Sequence, residues 1–161
     1  MGFNHDTSQF ACDSLYLWWQ RFGRSAYPKA TSILLLCDGG GSNNARHYIF
    51  KEDLLRTVNK IEIPIRVAHY PPYCSKYNPI EHRLFPHITR ALSGVILKTV
   101  DVVKALIRRT HTRTGLKVTV GILNKFYETK REATDRFLES FPIRFDGFLP
   151  DWNYVVHPTP Y

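Results

Sequence analysis

Two acidic residues, Asp38 and Glu81, stand where carboxylates do chemistry rather than solvate a surface. Asp38 closes Ile33-Leu34-Leu35-Leu36-Cys37-Asp38 and precedes Gly39-Gly40-Gly41-Ser42-Asn43. So short an apolar run suits a parallel strand covered on both faces, and the carboxyl ends of such strands are where open α/β sheets bind ligands. Glu81 lies within Ser75-Lys76-Tyr77-Asn78-Pro79-Ile80-Glu81-His82-Arg83-Leu84-Phe85. Asn78 suits a helix N-cap, and Pro79 suits the first helical position, where a missing N–H costs nothing. A helix starting there sets Ile80, Leu84, Ile88, Ala91 and Leu92 on one apolar stripe, with Glu81 inside it and turned toward the protein body. A carboxylate so placed is protonated, paired or metal-bound, because burying a bare charge is costly. An acid that ends a buried strand and another on a helix's inward face are two parts of a metal site. Each has a plainer reading. Asn78-x-x-Glu81 has capping-box spacing, and Asp38 beside three glycines reads as a turn residue. The glycines are not a P-loop, because no Gly-Lys-Ser/Thr comes after them.

The elements that must position these acids are set by periodicity. Phe10, Ala11, Ser14, Leu15, Trp18 and Phe22 recur at helical spacing, predicting a helix over 7–22 that Gly23 stops and Asp6 or Thr7 caps. After the Asp38 strand, Ser42, Asn43 or Asn44 can cap a helix reaching Val58, with Phe50, Leu54, Leu55 and Val58 inward. Ile63, Ile65, Val67 and His69 then alternate with Pro64, Arg66, Ala68 and Tyr70, predicting a second strand with Pro64 at its start or on an edge. Pro71-Pro72-Tyr73-Cys74 forms a stiff approach to the Glu81 helix, which Pro86 should kink or stop. A helix over 100–110 turns Val100, Val103, Leu106 and Ile107 inward, and Gly115 can end it. Residues 117–123 read as a strand and 131–141 as a short amphipathic helix. The order helix, strand, helix, strand, helix predicts an α/β domain with a parallel sheet, both acids lying after strands at the same end. The domain reading is a core over 1–97 and a helical and strand extension over 98–161. The role of Asp151-Trp152-Asn153-Tyr154 is not legible from its chemistry.

The totals exclude other classes. No apolar run approaches membrane-spanning length, and no basic-then-apolar leader opens the chain. Met1-Gly2 lacks the nearby basic patch that stable lipid anchoring needs. Cys12, Cys37 and Cys74 are scattered and odd in number, which fits a reducing, cytoplasmic setting rather than a disulfide framework or zinc knuckle. A net charge of +8 favours a polyanionic partner. The basic end of the 100–110 helix, Arg108, Arg109 and Arg113 with Lys117 beyond, reads either as compensation for the helix dipole or as a phosphate contact.

The segments Cys37-Asp38-Gly39-Gly40-Gly41-Ser42-Asn43, Tyr70-Pro71-Pro72 and Ser75 through Phe85 resemble DDE transposases of bacterial insertion sequences, in particular the Rhodopirellula-type group, distantly like mariner-type enzymes. His5-Asp6-Thr7, Thr112-Arg113-Thr114-Gly115-Leu116 and Asp151-Trp152-Asn153-Tyr154 resemble the same group. The resemblance implies a partial RNase H-like fold and cut-and-join chemistry on transposon ends with two Mg²⁺ ions, or Mn²⁺. Asp38 matches the second acid and Glu81 the third, within roughly 10 Å of each other if they share hydrated metal ions. A DNA-binding face would draw on Lys76, Arg83, Arg108, Arg109, Arg113 and Lys117. The family's first acid lies on a three-stranded meander well upstream of the His5-Asp6 motif, and only five residues precede Asp6 here. The expectation is therefore a truncated, inactive fragment, completed by an amino-terminal segment or by another copy. A second reading is a non-catalytic DNA-binding or partner-binding module. A third, another RNase H-like nuclease, needs a first acid that the sequence does not offer.

Overall fold

Alternation in Ile65-Arg66-Val67-Ala68-His69 decides the centre of the sheet, since Ile65, Val67 and His69 are buried while Arg66 points outward. A computed structural model describes residues 5–38, 46–71 and 73–159. The chain divides into two units, one of Gly2–Pro72 with Asn124–Tyr161 and one of Tyr73–Leu123.

In the first unit, β1 (Ile33–Cys37) runs parallel to β2 (Ile65–His69), in register from Ile33 opposite Ile65 to Cys37 opposite His69. On the other side of β2 lies β4 (Asn153–Val156), antiparallel, and beyond it β3 (Ile143–Phe145), giving the order β1-β2-β4-β3. The sheet is therefore mixed, not parallel as expected. Half of it comes from the carboxyl-terminal part of the chain, and β4 begins within Asp151-Trp152-Asn153-Tyr154, the stretch whose role the sequence did not reveal. Tyr154 and Val156 are fully buried, and the Trp152 carbonyl accepts the His69 N–H at 2.9 Å. Pro64 precedes β2, and its carbonyl accepts the Ile33 N–H at 3.0 Å.

Covering of β1 on both faces is also corrected. Ile33, Leu35 and Cys37 face the core, but Leu34 and Leu36 are 59% and 41% exposed. Among the described residues no strand pairs with the outer edge of β1. An uncharged apolar edge is a template for other chains. The chain is therefore expected to self-associate or to dissolve poorly, and Leu36→Lys to relieve this. Sedimentation that shows only monomer at high concentration would refute the expectation.

Helices cover the other face. α1 (Ser8–Trp18) is capped by Thr7, whose hydroxyl accepts the Phe10 N–H at 3.2 Å. The helical path does not stop at Gly23. It passes through one π-helical turn (Trp19–Gly23) into α2 (Arg24–Ala26). Gly23 is helical, and its requirement is space: a Cβ there would lie 2.5 Å from the Trp19 ring. The buried face is Ser8, Cys12 and Trp19, with Leu15 and Tyr16 packed on the core, while Trp18 and Phe22 are largely exposed. This face is rotated from the predicted stripe because Ser8 and Cys12 look polar or neutral in a hydropathy pattern. α3 (Tyr48–Ile61) buries Phe50, Leu54 and Val58 as expected. His47 occupies its cap position without a side-chain bond, and Ser42, Asn43 and Asn44 fall outside the described residues. α7 (Asp135–Ser140), capped by Thr134, is shorter than the predicted 131–141 helix and buries Phe137.

The second unit opens with a 3₁₀ turn (Ser75–Tyr77), then α4 (Pro79–Arg83), α5 (Phe85–Leu92) and α6 (Val100–Arg108). The single helix expected after Asn78 is broken at Leu84 (φ −125°, ψ −55°), and Pro86 sits in the first turn of α5, where proline is tolerated. In α6, Val100, Val103, Leu106 and Ile107 are half-buried, the predicted stripe. α6 ends at Arg108, and Gly115 (φ 102°) instead turns the chain between His111 and Lys117, which form an isolated bridge. Residues 117–123 form no strand, and the pairing described there is the bridge of Lys117 to His111.

Candidate metal centre and nucleic-acid interface

Asp38 comes directly after the last residue of β1, and the hydrogen bond from the Tyr70 N–H to the Cys37 carbonyl (2.8 Å) carries the parallel pairing up to its shoulder. It is exposed at the carboxyl end of the β1–β2 pair. Its carboxylate makes no hydrogen bond or ion pair among the described residues. The glycines behind it lie outside them.

Glu81 is the third residue of α4. Asn78 caps that helix by accepting the Ile80 N–H at 3.3 Å, and the Asn78 carbonyl accepts the Glu81 N–H at 3.1 Å. His82 pins the start of the helix to the preceding turn through its Nε2 and the Lys76 carbonyl, at 2.5 Å. The capping box does not close: the Glu81 carboxylate makes no hydrogen bond or ion pair among the described residues. Nor is it turned into a core, for Glu81 is half-buried and no residue of α4 or α5 is fully buried. Placed in a first helical turn, its negative charge is favoured by the helix dipole.

Each uncommitted carboxylate is, taken singly, an oxygen donor of the kind that a hard, hydrated divalent cation accepts. Asp38 and Glu81 belong to different units, each described in its own frame. Among the described residues no three His, Cys, Asp or Glu side chains gather closely enough to hold a metal ion. Two clefts of the first unit, of about 630 and 650 Å³, are not lined by Asp38.

Other acids of the first unit are spent on structure, which the sequence did not reveal. Asp13 accepts from Lys125 Nζ at 2.7 Å and from the Tyr127 hydroxyl at 3.1 Å. Burial, with Asp13 beside it, pushes the Tyr127 phenol up to about 12. Asp53 receives Ser8 and both arms of Arg131, and Glu52 receives Arg56 and Thr134. The signal for these roles is three-dimensional, since their partners lie 45 to 114 residues away, Arg56 excepted.

The six candidate DNA contacts all lie in the second unit and all are exposed. Arg83 ends α4, Arg108 ends α6, Arg109 caps it, and Arg113 and Lys117 flank the Gly115 turn. Lys76 Nζ lies 5.1 Å from the Tyr77 ring centroid. None of the four arginines makes an ion pair among the described residues. Residues 73–123 hold nine Lys and Arg against two Asp and Glu, a net +7 of the chain's +8.

A protein-family model described as "Rhodopirellula transposase DDE domain" matches residues 1–158. Searches of curated proteins and of solved structures returned no match.

Proposed function

This chain belongs to the Rhodopirellula transposase DDE domain family, and from that premise we propose that it serves DNA cleavage and strand transfer at insertion-sequence ends. The observation that supports the reading is that Asp38 and Glu81, the two acids of the motifs that resemble this family, keep carboxylates uncommitted to any structural bond among the described residues. DDE transposases generally use divalent metal ions, and Mg²⁺ or Mn²⁺ fits these oxygen donors. When bound, such ions supply Lewis-acid activation of the attacking oxygen and stabilisation of the leaving one.

The chain's own residues have simpler tasks. Asp38 and Glu81 present oxygen ligands and orient bound water. Lys76, Arg83, Arg108, Arg109, Arg113 and Lys117 hold phosphates and fix the register of the DNA. An acid on an open strand end, outside those clefts, suits a macromolecular substrate better than a small molecule. The fold in this reading is a partial RNase H-like core over 1–97 with an extension over 98–161, working in the cytoplasm. The ligand test is Mn²⁺ binding read by electron paramagnetic resonance. Asp38→Asn and Glu81→Gln should each weaken it, and unchanged binding in both would end the metal-site reading.

Binding through phosphate contacts must weaken steeply with salt. Charge reversal at Arg108 and Arg109 is expected to lower duplex affinity at low salt, with little dependence on sequence. Equal affinities at two ionic strengths would count against the whole interface, and an inert double reversal would remove those two residues from it. A non-catalytic DNA-binding module is the second reading. It is favoured by Asp13, one of only two acids upstream of Asp38, being tied to Lys125 and Tyr127.

A further inference from the structure

Between α5 and α6 the loop 93–99 carries three apolar side chains outward. Ile96 is 77% exposed, Leu97 46% and Val95 43%. The loop is pinned at both ends. Ser93 closes α5 by donating its N–H and hydroxyl to the Thr89 carbonyl, at 3.0 and 2.9 Å. Thr99 opens α6 by accepting the Val102 N–H at 3.2 Å. Gly94 takes φ 74°, a left-handed turn that a side chain would strain, although nothing lies within 4 Å of where its Cβ would be. The Lys98 N–H then returns to the Ile96 carbonyl at 3.0 Å, so the apolar tip sits on a tight turn.

Water is a poor environment for such a tip, and the rest of the unit says what else would meet it. Along the chain the tip is flanked by exposed Arg90 and Lys98, in a unit of net +7. A second copy of so basic a unit would be repelled, whereas a polyanion is drawn in. Apolar side chains flanked by cations are how proteins unstack and kink duplex DNA at a base step. We propose that loop 93–99 is a DNA wedge: Ile96 and Leu97 enter a base step while Arg90 and Lys98 hold the neighbouring phosphates. The proposal rests on the DNA-binding reading above and adds that the bound duplex is bent.

The test uses the full chain and a short duplex carrying energy-transfer dyes at its ends, with affinity measured across a salt series. Replacing Ile96→Ala together with Leu97→Ala should weaken binding about a hundredfold and abolish the bend, as expected for losing two buried aliphatic contacts. The salt slope should stay unchanged, because no cation is lost. Ile96→Phe should keep both affinity and bend. Unchanged affinity and bend in the double variant would overturn the wedge while leaving DNA binding intact. A double variant that loses only self-association, read by sedimentation, would assign the loop to protein contact instead. An unaltered chain that binds no duplex at low salt would remove the DNA reading and the wedge together. Circular dichroism should be the same for all variants, since each changed side chain is exposed.

Discussion

Purified chain mixed with transposon-end DNA and Mg²⁺ or Mn²⁺ is expected to leave that DNA uncut and unjoined. Two-metal phosphoryl transfer needs both ions held in position, and one carboxylate normally bridges them. In the reading proposed above, that bridge would be the family's first acid. Upstream of Asp38 these 161 residues hold only Asp6 and Asp13. Asp13 is occupied by Lys125 and Tyr127, and Asp6 stands beside the Thr7 cap of α1 rather than on a strand. In the metal-site reading proposed above, Asp38 and Glu81 would supply ligands for one ion at most, which would leave the attacking or the leaving oxygen without its clamp. Each 1.4 kcal/mol lost from that clamp costs about tenfold in rate. Cleavage that disappears in both Asp38→Asn and Glu81→Gln would sink the prediction, and would mean that the site is completed from within or by pairing. Activity that appears only when a segment bearing a further acid is added would support it.

The parts of this architecture that could be read from sequence are those whose cause is local. Ile33–Cys37 emerged as a strand because five apolar residues precede an acid and glycines, and Ile65–His69 because its alternation is unbroken. Asn78, Pro79 and Pro86 marked a helix start and a helix break through backbone chemistry alone. The parts that could not be read depend on distant partners. β3 and β4 are three and four residues long, and only their pairing with each other and with β2 makes them strands. Residues 117–123 join no strand of the sheet beyond the bridge of Lys117 to His111, and stay irregular. Lys51, Glu52 and Asp53, which the apolar pattern of α3 passes over, are all buried. Lys51 reaches that state by laying its ammonium 5.2 Å from the Tyr154 ring centroid and 5.5 Å from that of Tyr48. Burial lowers its affinity for the proton. At the candidate site, sequence left Glu81 between a capping box and an inward-facing carboxylate, and neither forms: the box stays open and the residue is half-buried on a helix with no fully buried position.

Asp53→Ala is expected to be the most damaging single change in the sheet-bearing unit. The Asp53 side chain is 2% exposed, accepts Arg131 through both oxygens at 2.9 and 3.0 Å, and takes the Ser8 hydroxyl at 2.7 Å. It thus ties α1 and α3 to the segment that leads into α7, β3 and β4. Its neighbour Glu52 seals the same junction by accepting the Thr134 N–H at 2.8 Å and hydroxyl at 2.9 Å, where α7 begins. Removing one partner of a buried pair leaves the other charge uncompensated, at a cost of about 3–5 kcal/mol. For a chain of this size that is a fall in Tm of roughly 10 °C. Arg66→Ala, which breaks the exposed pair with Asp146, should change little. The Glu52 carboxyl adds a pH signature. Burial works against its ionisation, but the Thr134 N–H and hydroxyl and the Arg56 guanidinium outweigh that and hold it below the ordinary glutamate range. A folded-state value depressed in this way contributes stability above the unfolded-state value, and that stability is lost as the pH falls through the folded one. Urea midpoints measured from neutral pH into acid should therefore decline for the unaltered chain and decline less for Glu52→Gln. An Asp53→Ala variant that melts with the unaltered chain, or a Glu52→Gln variant with the same acid dependence, would show that the junction is held by apolar packing of Phe137 and Tyr154 rather than by its acids.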